Sequence, residues 1–271
     1  MVDAIIVGGG PAGISAALTL RQRGKSAAIV STAPDDSPLW KAERIDNYPG
    51  LPALSGRELL EKMTAHAQAA GVETIRGRAL TVMPLGKTFG VSIGSDFAEA
   101  LVVVLAIGAT ASAGFPGEKQ FLGAGVSYCA TCDGMLYRGK KVAVVGLAAE
   151  APEEAEFLRS IGCDVEYFDK NRAKKYEIRG QDRVEALVAD GTDYPVDGVF
   201  IFRPAVAPAA LVPGLELNGN RIARGEDMST NIPGVFACGD CTGAPYQVAF
   251  AVGEGNIAGI TAAKYIETNK R

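Results

Sequence analysis

The stretch VDAIIVGGGPAGISAALTLRQRGKSAAIV, residues 2–30, decides the fold of this chain. It reads as an apolar strand, a glycine-rich turn, a segment with helical periodicity and a second apolar strand, which is the βαβ pattern. The turn carries G-x-G-x-x-G at Gly8, Gly10 and Gly13. The first glycine permits the turn, the second lets the backbone approach a pyrophosphate, and the third lets the helix pack on the strand. The stretch therefore predicts a dinucleotide-binding unit whose helix N-terminus faces the phosphates.

A second stretch, KKVAVVGLAAEAPEEAEFLRSIGCDVEYFD (residues 140–169), repeats this pattern with an altered turn. The first glycine is kept as Gly146, whereas the second and third are replaced by Ala148 and Ala151. A Cβ at Ala148 would stand where the backbone should approach a pyrophosphate. Acidic side chains at the start of the helix would also repel a phosphate, namely Glu150, Glu153 and Glu154. We therefore expect the second unit to be a scaffold that binds no nicotinamide nucleotide.

The residue at the end of the second strand differs between the two units. Asp169 stands where a ribose-binding acid would lie in an NAD site, so a second unit that binds NADH stays an alternative. The first unit has Ser31 at this position, and a serine hydroxyl binds a ribose less strongly than a carboxylate does. Together the two units predict an α/β fold of two Rossmann-like, three-layer (ββα) domains.

Composition restricts the class of protein. With 271 residues, of which 48% are hydrophobic, the chain can form two domains with buried cores. A net charge of −4 argues against a nucleic-acid partner, and no apolar run is long enough to cross a membrane. The first strand begins almost at the N-terminus without a charged leader, and the five cysteines are an odd number. These features predict a cytoplasmic protein with reduced thiols.

The stretch SYCATCDG, residues 127–134, contains a pair of cysteines with two residues between them. In a reducing compartment, Cys129 and Cys132 would form a catalytic or metal-binding CxxC rather than a structural disulfide. At the start of a helix such a pair can form a disulfide, and the helix end lowers a thiol pKa. Asp133 is the obvious proton donor for a leaving thiolate, because the only histidine, His66, is predicted to lie on a helix surface. Capping of the helix is the structural alternative for Asp133.

Four stretches together resemble one family. They are GGGPAG at residues 8–13, DNYPG at 46–50, SYCATCDG at 127–134, and the run from VFACGD through YQVA to GEG at 235–255. In these stretches and in their order, the chain is similar to the low-molecular-weight flavoprotein thioredoxin reductases. The resemblance implies FAD as the cofactor, thioredoxin or a thioredoxin-like protein as the substrate, and a homodimer.

The resemblance also implies a discontinuous domain arrangement. Residues 1–113 and 214–271 would form the FAD-binding domain, into which a central domain is inserted. That central domain, residues 114–213, would carry the CxxC on a reduced form of the nicotinamide-binding fold. The proline- and alanine-rich stretch RPAVAPAALVP, residues 203–213, independently reads as a connector between domains.

The resemblance assigns most of the FAD contacts to the first domain. The pyrophosphate would be held by the glycine turn, at Gly8, Gly10, Pro11, Ala12 and Gly13. Ser31 would face the adenosine ribose, and Gly239 and Asp240 would bind the ribityl chain. The helix N-terminus at Gln247 and Val248 would stabilise negative charge on the reduced flavin.

The flavin ring itself would contact the loop that contains Asn47. The segment before it departs from the family, which usually has Gly-Gly-Gln-Leu where this chain reads DDSPLWKAERIDN. Only Leu39 keeps its place there, and Trp40 is a candidate packing partner for the flavin.

The resemblance gives each sulfur of the CATC motif a role. Cys132 would lie beside the flavin, Cys129 would attack the substrate, and Asp133 would protonate the leaving thiolate. A second CxxC, Cys238 and Cys241, encloses the ribityl-binding turn, where small buried residues are needed. We therefore expect ordinary packing there rather than a second redox pair, although the two CxxC units leave a zinc site as an alternative.

The central domain departs from the family at the nicotinamide site. Typical members grip NADPH with an HRRxxxR cluster, whereas this chain reads FDKNRAKK at residues 168–175. This departure, together with LWKAERIDNYPG and CGDCTG, resembles the ferredoxin-dependent flavin thioredoxin reductases. A basic cluster could dock an acidic ferredoxin or simply form a solvated face; it consists of Lys140, Lys141, Lys170, Arg172, Lys174 and Lys175.

Three other functions stay open at this point. One is an NAD(P)H-dependent thioredoxin reductase, with NADH favoured by Asp169. Another is an oxygen-dependent dithiol oxidase of the same fold. The last is a non-catalytic module that binds zinc or flavin, whereas the leading interpretation needs no metal.

Overall fold

The computed structural model describes residues 1–34, 37, 39–109, 114–128, 130–148, 151–203 and 207–269. The chain divides into two compact units: Met1–Ala111 with Ala207–Arg271, and Ser112–Val206. The chain returns to the first unit at Ala207, earlier than the predicted residue 214. The reason is that a short helix, Pro208–Leu211, buries Leu211 and packs on a strand of the first unit.

Strands and helices are numbered in chain order. The strands are β1 (Val2–Val7), β2 (Ala27–Ser31), β3 (Glu73–Arg76), β4 (Ala79–Leu85), β5 (Thr88–Ile93), β6 (Asp96–Leu105), β7 (Val126–Ser127), β8 (Lys141–Gly146), β9 (Asp164–Asp169), β10 (Tyr176–Gly180), β11 (Val184–Ala189), β12 (Thr192–Pro195), β13 (Gly198–Phe202), β14 (Leu217–Asn218), β15 (Arg221–Ile222) and β16 (Val235–Ala237). The helices are α1 (Pro11–Gln22), α2 (Gly56–Ala69), α3 (Ala130–Asp133), α4 (Ala151–Ser160), α5 (Pro208–Leu211) and α6 (Val248–Asn269). Among the described residues, no helix combines the length and the apolar character needed to cross a bilayer.

The larger unit is built on one mixed sheet. Its strand order is β3-β2-β1-β6-β5-β4, and β16 also pairs with β6. The strands β3, β2, β1, β6 and β16 pair in parallel, whereas β4, β5 and β6 form antiparallel hairpins. The central parallel strands β1, β6 and β16 are largely apolar and buried, as strands covered on both faces are. The glycine turn at the end of β1 therefore lies at the carboxyl edge of a parallel sheet, where ligands of this fold bind.

Helices α1 and α6 approach each other through small residues. A Cβ added to Gly255 would lie 2.1 Å from the Ala12 carbonyl oxygen, and one added to Gly259 would lie 2.7 Å from Thr19 Cβ. These glycines therefore allow a helix separation that larger residues would prevent. Across the contact, Asn256 Nδ2 donates a hydrogen bond to Thr19 Oγ1 (3.0 Å). This hydrogen bond between Asn256 and Thr19 holds α6 against α1, the helix that follows the glycine turn.

The smaller unit contains a parallel sheet of order β7-β13-β8-β9 and an antiparallel sheet of order β10-β11-β12. Its β8-α4-β9 unit is in register from Lys141 opposite Asp164 to Gly146 opposite Asp169. Phe168, which is fully buried, stacks edge to face with Tyr194 at a centroid distance of 4.9 Å.

Both βαβ units form where the sequence predicts them, and the predicted α/β class is confirmed. Cys163 lies buried just before β9, and His66 is exposed on α2 as predicted.

Candidate active site

The glycine turn after β1 has the geometry that a bound pyrophosphate needs. Gly8 has a φ of 117°, and a Cβ there would lie 2.1 Å from the Ala106 carbonyl oxygen. A Cβ on Gly13 would lie 2.0 Å from the carbonyl oxygen of Gly8. By contrast, a Cβ on Gly10 would meet no atom within 4 Å. Gly8 and Gly13 thus permit close packing of the turn, whereas Gly10 faces open space where a ligand can approach the backbone.

Helix α1 presents backbone donors to this open space. Gly10 is its N-cap and Pro11 its first residue; no side chain caps it, and its first turn contains no acidic residue. The amides of Ala12 and Gly13 have no acceptor within the helix, because the first helical turn leaves its N–H groups without partners. Together with the positive end of the helix dipole, these amides form a site for an anion. The residues predicted to hold the pyrophosphate therefore fit one.

Ser31 and the Gly239–Asp240 turn lie against the same glycine turn. A Cβ on Gly9 would lie 2.7 Å from Ser31 Oγ, and one on Gly239 would lie 2.7 Å from Ala12 Cβ. Strand β16 brings Gly239 to this place because it pairs in parallel with β6, which itself pairs with β1. The structure thus brings together three of the predicted groups of FAD contacts.

Asp240 lies in an environment that favours its neutral form. It begins the 3₁₀ turn Asp240–Thr242. Its pKa is raised, chiefly by burial and further by the negative charge of Glu254. A hydroxyl donor, such as those of a ribityl chain, would stabilise the carboxylate form. The side chain therefore suits the hydrogen-bonding role predicted for it.

The residues predicted to lie near the flavin ring also meet in the structure. Asn47 Nδ2 donates a hydrogen bond of 2.7 Å to Gln247 Oε1. Gln247 directly precedes α6, and its carbonyl oxygen accepts from the Ala251 amide (2.9 Å). The first turn of α6, which begins at Val248, contains no acidic residue. Its positive end can therefore stabilise a negative charge placed before it.

Leu39 and Trp40 form a 3₁₀ turn that packs against the core of the larger unit. A Cβ on Gly56 would lie 1.7 Å from the Leu39 carbonyl oxygen, so this turn lies directly on the start of α2. The Arg57 guanidinium lies 5.1 Å from the centre of the Trp40 ring. One role of Trp40 is therefore to join this turn to α2, and its contact with a flavin stays a prediction.

The CATC motif is described only in part, because Cys129 and the side chain of Cys132 lie outside the described residues. The helix that carries the motif, α3, contains four residues and continues as the 3₁₀ turn Gly134–Tyr137. So short a helix has a small dipole. The helix end therefore contributes less to thiolate formation than the sequence suggests.

Asp133 is held by a neighbouring hydroxyl group. Its Oδ2 atom accepts a hydrogen bond of 2.7 Å from Ser127 Oγ, and its side chain makes no capping bond to the 3₁₀ turn that follows. The side chain therefore does not cap the following turn, because the carboxylate turns toward β7 instead of toward the amides of that turn. Ser127 was not predicted, although a serine two residues before the CxxC was a visible signal.

A second acid, Glu254, was not predicted from the sequence. It is buried in α6. Its Oε2 atom accepts hydrogen bonds from the Gly239 amide (2.7 Å) and from Thr242 Oγ1 (2.9 Å). Its Oε1 atom pairs with the guanidinium of Arg224. An acidic residue between two glycines, directly after an apolar stretch, was the only sign of it in the sequence.

A third acid, Glu118, lies buried in the smaller unit. It accepts hydrogen bonds from Tyr128 Oη (2.8 Å) and the Phe115 amide (2.7 Å), and it pairs with Arg203. Burial would raise the pKa of Glu118, but the guanidinium and the other donors hold that pKa below its ordinary value. Burial, and then the charge of Glu118, raise the pKa of Tyr128. A neutral phenol is therefore fixed one residue before Cys129.

Cys238 and Cys241 are buried thiols of the larger unit and form no disulfide. Cys241 Sγ donates to the carbonyl oxygens of Cys238 (3.3 Å) and Leu105 (3.5 Å). Burial raises the pKa of Cys241 to about 12 and the pKa of Cys238 well above its ordinary value. Because both thiols stay protonated at neutral pH, the predicted packing role fits them better than a redox role.

Side chains crowd Gly146, the first glycine position of the second βαβ unit. A Cβ on Gly146 would lie 2.3 Å from the Tyr167 hydroxyl and 2.9 Å from Ala151 Cβ. Ala148, which packs against the core of this unit, has a side chain at the position where the first unit has Gly10. The first turn of α4 contains acidic residues, whereas that of α1 contains none. The second unit thus lacks the features that make the first one fit a pyrophosphate.

Asp169 is occupied by the turn that follows β9. Its Oδ1 atom accepts from the amides of Asn171 (2.9 Å) and Arg172 (2.8 Å). These hydrogen bonds give Asp169 a structural role at the end of β9, and this role requires no bound ribose.

Part of the basic cluster is neutralised within the smaller unit. Glu166 pairs with Lys141 (3.1 Å) and with Arg172 (2.6 Å). Arg172 also lies 4.0 Å from the centre of the Phe168 ring. The charge that this surface presents to a partner is therefore smaller than the count of basic residues suggests.

Comparisons with known proteins agree with these features. A family model described as pyridine nucleotide-disulphide oxidoreductase matches residues 2–173 and 170–255. The thioredoxin reductase of Listeria innocua is 32% identical, over 99% of this chain and 95% of its own length. That of Aquifex aeolicus is 34% identical, over 88% of this chain and 84% of its own length.

Solved structures give the same result. A ferredoxin-flavin thioredoxin reductase from Clostridium acetobutylicum is 38% identical with a TM-score of 0.87, covering 99% of this chain and 98% of that one. A thioredoxin reductase from Gloeobacter violaceus is 30% identical with a TM-score of 0.79, covering 100% of this chain and 95% of that one. The chain therefore belongs to the pyridine nucleotide-disulphide oxidoreductase family and is an enzyme of the thioredoxin reductase type.

Proposed function

We propose that this chain is an FAD-dependent thioredoxin reductase whose flavin receives electrons from reduced ferredoxin rather than from NADPH or NADH. The names of two similar structures, both ferredoxin-flavin thioredoxin reductases, support this donor. We also propose that the enzyme is a cytoplasmic homodimer, in line with its family and its reduced thiols.

The observation that carries the choice of donor is Ala148, which stands where the first unit has the open glycine Gly10. Ala148 packs against the core of the smaller unit, and its Cβ occupies the place where a pyrophosphate would approach the backbone. A nicotinamide nucleotide needs its pyrophosphate against glycine backbone at a helix N-terminus. The acidic residues in the first turn of α4 would add repulsion. In the first unit, Gly10 at the equivalent position faces open space, which supports this turn as the place for the FAD pyrophosphate.

The chemistry of disulfide reduction falls to the CATC motif. Bound FAD supplies a carrier that accepts electrons singly from an iron–sulfur protein and delivers them in pairs to a disulfide. In the reduced motif, the Cys129 thiolate attacks the disulfide of thioredoxin and displaces one thioredoxin thiolate, which takes a proton from Asp133. Cys132 then attacks Cys129 in the mixed disulfide, which releases dithiol thioredoxin and closes the CATC disulfide.

The residues around the motif support these roles. Ser127 orients the Asp133 carboxyl group at 2.7 Å, and such second hydrogen bonds fix a proton donor for its task. Met135 and Leu136 follow the motif with exposed fractions of 58% and 68%. Exposed apolar side chains of this size, next to a redox pair, suit contact with a protein substrate.

Anaerobic titration of the purified protein tests the proposal. We expect a yellow protein with about one FAD per chain, whose visible absorbance is bleached rapidly by reduced ferredoxin and hardly at all by NADPH or NADH. Rapid bleaching by NADH would overturn the donor and make Asp169 a ribose ligand. Oxygen-dependent oxidation of dithiols without thioredoxin reduction would identify an oxidase, and a colourless protein that contains zinc would exclude the flavoenzyme.

A further inference from the structure

Glu254 connects three segments beside the Gly239–Asp240 turn. It is 4% exposed, and its Oε2 atom accepts from the Gly239 amide and from Thr242 Oγ1. Its other oxygen receives Arg224, whose side chain is 27% exposed. The carboxylate of α6 thus binds both ends of the turn that follows β16 and, through Arg224, the loop that follows β15.

A buried carboxylate is costly unless it is paired and fully hydrogen-bonded. Arg224 provides that pairing from a fixed position. The Gly225 amide donates to the Ser229 carbonyl oxygen (2.8 Å), and the Ala237 amide donates to the Met228 carbonyl oxygen (3.0 Å). The loop that carries Arg224 is therefore held along β16, next to the turn that Glu254 binds.

The turn itself needs to be held. Gly239 has a φ of 78°, and a Cβ on it would lie 2.7 Å from Ala12 Cβ. No side chain at Gly239 can therefore anchor the turn. Asp240, the next residue, is half-buried and close enough to Glu254 for the two negative charges to repel each other. A cation at Glu254 offsets this repulsion.

We propose that Arg224 and Glu254 are positioning residues for the flavin: the pair fixes the Gly239–Asp240 turn and compensates the charge beside Asp240, and so sets the affinity for FAD. This inference rests on the proposed function, because it assumes that Asp240 binds FAD. Neither residue needs to touch the cofactor. Their effect passes through the Gly239 amide and the Thr242 hydroxyl.

A double-mutant cycle on FAD affinity tests the pair. FAD is removed from each variant, and its dissociation constant is measured by the fluorescence of free FAD on titration. Arg224→Met leaves Glu254 buried without a cation, so we expect affinity to fall roughly tenfold to a hundredfold. Glu254→Gln keeps an acceptor for Gly239 without the charge and should lose less. The double variant should bind FAD more tightly than Arg224→Met alone, because the unpaired charge is gone.

Conservative and matched variants complete the design. Arg224→Lys keeps the cation and should recover most of the affinity that Arg224→Met loses. Arg159→Met is the matched control. It removes the arginine of another Arg–Glu ion pair, the exposed pair Arg159–Glu156, and should leave FAD affinity unchanged. If Arg224→Met does not fold, the comparison of Arg224→Lys with the double variant gives the same answer.

The inference is overturned if every variant binds FAD as the unmodified chain does, or if the two single losses simply add in the double variant. It is supported if the double variant recovers affinity. Failure of the proposed function has a different signature, since the unmodified chain would then bind no FAD at all.

Discussion

At the scale of single residues, Asp133 is the side chain whose role is best defined by its surroundings. Its carboxylate accepts from Ser127 Oγ at 2.7 Å and does not cap the following turn. A substitution there should therefore alter proton transfer more than stability.

We expect Asp133→Asn to slow thioredoxin reduction by about 10²–10⁴-fold, the usual scale for a positioned acid, while FAD stays bound. The measurement is turnover with thioredoxin, with electrons supplied chemically to the flavin. Asp3→Asn is the control, because Asp3 also accepts from a serine hydroxyl, that of Ser26 at 2.9 Å, in the larger unit. Equal turnover in the two variants would leave Asp133 without a chemical role.

The two CATC sulfurs can be told apart by absorbance. If Cys132 faces the flavin, Cys129→Ser leaves its thiolate as a donor to the oxidised ring, and a long-wavelength absorbance band should appear. Cys132→Ser should show no such band, and both variants should lose thioredoxin reduction. Cys241, with its pKa near 12, adds no thiolate that could confuse the spectra. A band in Cys132→Ser alone would mean that the two roles are reversed.

At the scale of elements, the contact between α1 and α6 is the one that brings α6 against the glycine turn. Gly255 allows it, because a Cβ there would lie 2.1 Å from the Ala12 carbonyl oxygen. Backbone cannot yield as a flexible side chain can, so an added methyl group must separate the helices.

We expect Gly255→Ala to destabilise the FAD-loaded protein by about 1–3 kcal/mol, measured by equilibrium unfolding in urea. Gly253→Ala is the matched control on the same helix, because a Cβ there meets no atom within 4 Å. That change should be neutral or stabilise by up to about 1 kcal/mol, since alanine favours a helix. Equal unfolding midpoints for the two variants would show that α6 adjusts without cost.

The elements show what a sequence can and cannot predict. Both βαβ units were predictable because apolar periodicity and a glycine turn are local signals. Two other features were not predictable: the ion pair of Arg224 with Glu254, and the position of Tyr167 over Gly146. Both depend on which parts of the chain the tertiary fold brings together. The length of α3 was also not predicted: CATCD fits a helix start, but the helix contains four residues and continues as a 3₁₀ turn.

At the scale of the whole molecule, surface charge bears on the choice of electron donor. The chain carries a net charge of −4, yet its smaller unit has a basic segment after β9. Glu166 of β9 pairs with Arg172 of that segment and also with Lys141 of β8. The backbone amides of Lys174 and Lys175 donate hydrogen bonds to the Asp190 carboxylate (2.9–3.2 Å). These bonds do not involve the ammonium groups of the two lysines.

We therefore expect an acidic ferredoxin to dock through Lys174 and Lys175. The rate of flavin reduction by ferredoxin should fall as ionic strength rises, because salt screens long-range attraction. The double variant Lys174→Glu with Lys175→Glu should lower that rate further at low salt, measured by stopped-flow bleaching of the flavin. Lys62→Glu with Lys264→Glu changes the net charge equally at exposed sites of the larger unit and should have a smaller effect. Equal losses in the two double variants would mean that net charge, and not this basic segment, governs the encounter.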